Sequence, residues 1–204
     1  GMINFMPIDM NIVLDKQEVI DNFEKTTDYW YWSFEKLTHS KGGKYGKNDF
    51  TDKAKEKYPK LVEYISHLPY THLSNVKINF QTAAVKAHID FQPENQHLAR
   101  MADKKFDPNE GIDLYKDSLN YEPCGYRIVV RGSNDALKLH INDEIKTCLM
   151  PDDTPTYVIN HTSALHSVDR DEGRINVYVS GFIDREKHMN ILDRSMKKYK
   201  NYIL

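Results

Sequence analysis

A mainly antiparallel β fold, a sandwich or jelly roll with helices at its periphery, is the class this sequence predicts. Three observations predict it. Short alternating apolar/polar segments recur between turn signals, at 73–81, 85–91, 127–131, 137–141 and 174–182. Helical spacing is confined mostly to the N-terminal third and to 183–204. Thirteen Tyr, eight Phe and two Trp form an aromatic load suited to a β-rich core.

The bulk numbers narrow the class further. The 204 residues suffice for a single domain with a real core, taken as 2–204 with Gly1 set aside. A charged fraction of 28% beside 40% hydrophobic residues is globular rather than disordered. A net charge of −2 gives no electrostatic reason to expect nucleic acid or an anionic membrane as partner. No apolar run nears the roughly 18–20 residues that span a bilayer, and no signal-peptide pattern is present. Cys124 and Cys148 make neither a disulfide framework nor a CxxC pair. A reducing, cytoplasmic setting is the expectation.

Taken in order, residues 2–14 alternate loosely and predict an edge strand. Asp15 followed by Glu18 is a helix-start signal, with Val19, Ile20 and Phe23 as the apolar side. The aromatic run Asp28–Phe34 suits a buried or half-buried strand. Residues 38–52, with Gly42, Gly43 and Gly46 among lysines, predict a flexible surface loop without a phosphate-binding pattern. Helical spacing returns over 51–67, broken or opened by Pro59, in a helix expected outside a sheet. Residues 73–81 alternate and lead through 82–84 into 85–91, as a hairpin or meander.

Residues 92–122 are polar and long for a connection, which predicts a lid or disorder beside whatever precedes them. The strand at 127–131 places Arg127, Val129 and Arg131 on one face. Further strands are expected at 137–141, after which Asn142–Glu144 turns, at 147–150 and at 156–160. The alternation at 174–182 is the cleanest in the chain: Ile175, Val177 and Val179 oppose Arg174, Asn176, Tyr178 and Ser180. A peripheral C-terminal helix closes the chain.

The chemistry-bearing stretch is Val85–Phe91. Alternation puts Val85, Ala87, Ile89 and Phe91 on one face, and Lys86, His88 and Asp90 on the other. An imidazole and a carboxylate side by side form half of a mixed nitrogen/oxygen metal site. Two His and one carboxylate with open positions is the arrangement of non-haem Fe(II) oxygenases. A second His must come from downstream, where His161 and His166 are candidates and His140 is weaker. His166 is chosen because Arg174 follows eight residues later on a polar strand face suited to a carboxylate. His161 would pair with Arg170, which lies in a charged turn. Each reading has a plainer rival: a surface His/Asp pair, a structural ion pair at Arg174, satisfied core groups at Tyr157, Asn160, Asn176 and Tyr178. His39, His67, His72, His97, His140 and His188 are taken as ordinary surface or partly buried residues.

His88-x-Asp90, the later His166 and Arg174 beyond it resemble the Fe(II)- and 2-oxoglutarate-dependent dioxygenase superfamily over about 73–184. The segment Tyr157–Val168 followed by Arg174 is similar to the aspartyl/asparaginyl β-hydroxylase-like branch, whose Arg-bearing strand Arg127 or Arg131 matches. Against that branch stand the long 92–122 segment and the retained Asp90. The resemblance implies a double-stranded β-helix (a cupin-like jelly roll). It implies Fe(II) on His88, Asp90 and His166, and 2-oxoglutarate as co-substrate, with Arg174 on its far carboxylate. Arg127, Tyr157 and Asn176 are expected as further co-substrate contacts. The implied reaction hydroxylates a C–H bond of a small polar substrate or a peptide side chain, releasing succinate and CO2. Two alternatives remain: a cupin-like metalloenzyme without 2-oxoglutarate, and a non-enzymatic jelly-roll binding module.

Overall fold

The computed structural model describes residues 2–24, 32–43, 46–90, 125–161 and 163–204, with Trp32 described by its backbone alone. The first part of the aromatic run, Phe91, the expected lid at 92–122, His97 and Cys124 lie outside the described residues.

The described chain is mainly β, in two antiparallel sheets. The larger has the order β1 (Phe5–Pro7), β8 (Thr156–Ile159), β5 (Gly125–Arg131), β10 (Arg174–Ile183), β3 (Tyr70–Gln81) and β2 (Trp32–Lys36). The smaller has the order β4 (Val85–His88), β9 (His166–Val168), β6 (Leu137–Ile141) and β7 (Glu144–Thr147). Helices α1 (Lys16–Asn22), α2 (Asp52–Lys57), α3 (Pro59–Ser66) and α4 (Arg185–Lys198) complete the regular elements used below. None of the described helices is long and apolar enough to cross a membrane.

Alternation in β10 explains the layering. Its Ile175, Val177 and Val179 join Ile128, Ile78, Leu61, Tyr64 and Leu192 in a core between the large sheet and the helices. A second, smaller core lies between the sheets: Phe5, Val129, Tyr157 and Ile159 from the large one meet Leu137, Leu139 and Val168 from the small one. The polar side of β10 therefore faces the small sheet, not solvent. The β6–β7 hairpin turns at Asn142 and Asp143, whose φ values of 51° and 63° are those of a two-residue turn matching strand twist.

Several expectations need correction. β3 and β4 are not a hairpin: β3 pairs with β10 and β2, while β4 pairs with β9 in the other sheet. The strand expected at 147–150 is instead β7, ending at Thr147. Residues 38–50 are not a loose loop among their described positions. The Asn48 side chain accepts from Gly42 N (2.8 Å) and donates to the carbonyls of Gly43 and Ser74 (both 3.0 Å). The C-terminal helix is only partly peripheral, since His188, Ile191, Leu192 and Ser195 of α4 are buried. His188, expected near the surface, is fully buried and bonded through Nδ1 to Tyr126 Oη at 2.7 Å.

A bulge between Ile175 and Asn176 in the β10–β5 register turns Arg131 away from the face of Arg127. Arg131 pairs with Ile175, donates from Nε to Gly173 O (3.1 Å) and lies over Phe80 on the helix side. It has no place between the sheets.

Candidate metal centre

The site forms where β4 and β9 run beside each other at the edge of the small sheet. His88 and His166 are register partners, with ring centroids 4.4 Å apart. A bulge between Val85 and His88 places Val85 on the face of His88, opposite Val168. The expected grouping of Val85 with Ala87 on an apolar face is thus overturned, and Ala87 is exposed. The strand ends at His88, and Asp90 follows on irregular backbone.

His88, Asp90 and His166 each present a ligand-type atom, and these atoms all lie within 4.8 Å of one another. His88 Nε2 is 3.1 Å and His166 Nε2 is 3.4 Å from Asp90 Oδ1. Both rings are held from behind. His88 Nδ1 bonds to Lys86 O at 2.7 Å, and His166 Nδ1 to Ala164 O at 2.8 Å. A carbonyl only accepts, so each Nδ1 carries the proton, and in the neutral ring each Nε2 keeps its lone pair. That is the tautomer a metal requires, fixed by backbone contacts of the kind that orient metal-bound imidazoles.

His161, the alternative second ligand by sequence, stands beside the cluster. Its Nδ1 meets the other carboxylate oxygen, Asp90 Oδ2, at 2.8 Å, and its backbone O accepts from Asp90 N at 2.8 Å. Burial works to raise the Asp90 pKa, but the hydrogen bond from His161, and one from His166 when that ring carries a second proton on Nε2, outweigh it and hold the carboxyl below its usual range. Burial lowers the His161 pKa, against the pull of Asp90.

Across from the ligands lies the polar face of β10. One cavity of about 160 Å³ is lined by His88, Asp90, His166 and His161, by Arg174, Arg127, Tyr157, Tyr178 and Gln81, and by apolar groups that include Val85, Leu137 and Val168. Its size is below the roughly 300–1,000 Å³ of sites for drug-sized ligands, which suits a small molecule. A larger groove of about 410 Å³ opens between α3 and the start of β3, but the His/Asp cluster is not in it.

Arg174 is 2% exposed and donates from Nη2 to Asn134 Oδ1 (2.8 Å) and Tyr157 Oη (3.3 Å). Asn176, with its amide turned so that Oδ1 faces the guanidinium, accepts from Nε at 3.1 Å and from Nη1 and Nη2 at 3.2 Å. Every one of these partners is neutral, and among the described residues no carboxylate pairs with Arg174. Burial raises the Tyr157 phenol pKa despite the opposing pull of Arg174, so the hydroxyl stays neutral at Arg174's side.

Arg127 is also buried, stacked on Tyr178 with its guanidinium carbon 4.2 Å from the ring centroid. Its guanidinium packs over Gly125, where any Cβ would collide with it.

All seven residues read from the sequence as ligands or co-substrate contacts therefore gather at or beside one cavity. Asn134 was missed. It sits on a single 3-10 turn forty positions from Arg174, with no local signal pointing there.

No family model matches the chain, and no curated protein does. Among solved structures it is similar to an oxidoreductase of the 2OG-Fe(II) oxygenase family from Burkholderia pseudomallei. That similarity has 12% identity and a TM-score of 0.45, and covers 83% of this chain and 78% of the other. It is also similar to a prolyl hydroxylase in complex with a hypoxia inducible factor oxygen degradation domain peptide fragment from Trichoplax adhaerens. There the identity is 8% and the TM-score 0.49, with 91% and 86% of the two chains covered. Similarities this weak carry no functional argument, and the case for function rests on the cavity.

Proposed function

We propose that this chain is a non-haem Fe(II) oxygenase using 2-oxoglutarate, on a single jelly-roll domain whose core is about 73–184. Its reaction hydroxylates a C–H bond of a small polar substrate or a peptide side chain, with release of succinate and CO2. One observation carries the reading: a buried guanidinium with only neutral partners among the described residues shares a small cavity with two oriented imidazoles and a carboxylate. A charge buried without a counter-charge is costly. Arg174 is accounted for if its counter-charge is a ligand.

The donor set fits Fe(II). Two neutral imidazole nitrogens and one carboxylate oxygen suit a non-haem iron and leave coordination positions open. Bound Fe(II) supplies O2 activation coupled to oxidative decarboxylation of the co-substrate. His88 and His166 offer Nε2 because Lys86 O and Ala164 O hold their Nδ1 protons. Arg174, steadied by Asn134, Tyr157 and Asn176, takes the far carboxylate of 2-oxoglutarate through charge-assisted hydrogen bonds. Val85, Leu137, Ile159 and Val168 keep that part of the cavity apolar and poor in water, which limits side reactions.

An anaerobic titration of the metal-free protein with Fe(II) and then 2-oxoglutarate tests this, read by the visible charge-transfer band of the chelated complex. The band is expected in the wild type and absent in His88→Ala. In His166→Ala, turnover of 2-oxoglutarate to succinate is expected to vanish. Metal binding without a band favours a metalloenzyme that does not use 2-oxoglutarate. No metal binding leaves a binding module.

A further inference from the structure

Asp90 is placed differently from the two imidazoles. His88 and His166 sit on paired strands, and their positions follow from the ladder. Asp90 lies two residues past the end of β4, where no ladder fixes it. A ligand must be held within about 0.5 Å of its productive geometry. Away from the two imidazoles, and among the described residues, His161 holds Asp90 at two points: its carbonyl takes the Asp90 amide, and its Nδ1–H takes Asp90 Oδ2. We infer that His161 is the positioning residue of the metal centre, clamping Asp90 so that only Oδ1 faces His88 Nε2 and His166 Nε2. The inference rests on the metal reading above.

The clamp is itself anchored. His161 is the second residue past β8, and the neighbouring Asn160 is fully buried. Asn160 N donates to Asn4 O (2.8 Å), its side-chain nitrogen donates to Asn4 Oδ1 (3.2 Å), and its carbonyl accepts from Ala164 N (2.9 Å). Ser163 Oγ donates to Asn160 Oδ1 at 2.9 Å. The Ala164 carbonyl then holds His166 Nδ1. The residues after β8 thus hold the carboxylate ligand through His161 and, through the Ala164 carbonyl, orient the imidazole of His166 at the start of β9. With Oδ2 engaged, Asp90 would offer a metal Oδ1 alone. A hydrogen bond that orients a ligating side chain typically governs about 10–100-fold in metal affinity.

The test is Mn(II) binding to the full-length protein, counted as free Mn(II) by electron paramagnetic resonance. It compares wild type, His161→Ala and His161→Asn, with folding checked by circular dichroism. Asn keeps a donor close to the position of Nδ1, and Ala removes it. Mn(II) affinity is expected to fall about 10–100-fold in His161→Ala and to recover to within about threefold of wild type in His161→Asn. If His161→Ala does not fold, His161→Gln replaces it, since its donor reaches past Asp90 Oδ2, and the same loss is expected. Wild-type affinity in His161→Ala or His161→Gln, or equal loss in His161→Asn and the donor-lacking variant, overturns the inference while leaving the metal reading standing. Failure of the wild type to bind Mn(II) overturns both.

Discussion

A guanidinium as buried as that of Arg174 usually has a carboxylate beside it, because a charge taken out of water is costly unless paired. Here three neutral side chains surround it. Charged hydrogen bonds of this type contribute about 1.5–3 kcal/mol, or roughly 10–150-fold in binding. Arg174→Gln should therefore weaken 2-oxoglutarate binding to the Mn(II)-loaded protein by at least about tenfold, while Mn(II) affinity stays within about threefold of wild type. Calorimetry with each ligand separately measures both, and unchanged 2-oxoglutarate affinity removes Arg174 from the co-substrate site. The same cavity sets a pH dependence. Burial depresses the His161 pKa below 6.5, so on acidification the unfolded chain takes up that proton first. Stability linked to His161 is complete above its unfolded value and is lost as pH falls through the window below it. Asp90 acts in the same sense at lower pH, its contribution being lost only as pH falls through its depressed folded value. The urea midpoint of the metal-free protein should fall between pH 7 and pH 5.5, and fall less in His161→Asn. A midpoint that rises over this range contradicts the His161 shift.

Single elements show which features of the chain were legible and which were not. Asp15 does cap α1, accepting from Gln17 N at 3.1 Å. Its expected companion Glu18 turns away to accept from Lys60 N (2.9 Å) and Leu61 N (3.0 Å), at the start of α3. The residue before α3, Tyr58, gives no side-chain cap, so a carboxylate from another helix does that work. Local spacing cannot reveal a cap supplied from more than forty residues away. Glu18→Ala should destabilise the protein by about 0.5–2 kcal/mol in urea unfolding, with Mn(II) affinity unchanged. A loss below about 0.2 kcal/mol would show that the contact contributes nothing. The strands tell the same story. Alternation in β10 was readable because no bulge interrupts Arg174 to Ser180 in its pairing with β3. In β4 and β5, bulges reversed the facing of Val85 and Arg131, and a bulge depends on the partner strand's register. His88, Asp90, His166 and Arg174 could be singled out because their residue types are chemically specific. Asn134 and the clamp at His161 are ordinary residues whose roles exist only once distant elements meet.

Across the whole molecule, the cavity divides between the sheets. His88 and His166 come from β4 and β9 of the small sheet, while Arg174, Arg127, Tyr157 and Tyr178 come from the large one. The apolar core between the sheets is the smaller of the two cores and gives way to this polar cavity on one side. On the proposed reading, a metal alone would tie together β4, β9 and Asp90, all on one side. A dicarboxylate held by the metal at one end and by Arg174 at the other would join both sheets. A ligand that binds only the folded state adds about 2.7 kcal/mol at a hundredfold excess over its dissociation constant. For a chain of this size each kcal/mol corresponds to roughly 2–4 °C in Tm. Mn(II) at that excess should raise Tm by about 5–10 °C, and 2-oxoglutarate added to the Mn(II) form should raise it by a similar further step. Arg174→Gln should keep the first step and lose most of the second at the same concentrations, and His88→Ala should lose both. Scanning calorimetry reads the two steps separately. A full second step in Arg174→Gln would mean that 2-oxoglutarate does not bridge the sheets through β10, and the cavity would then need another anchor for its ligand.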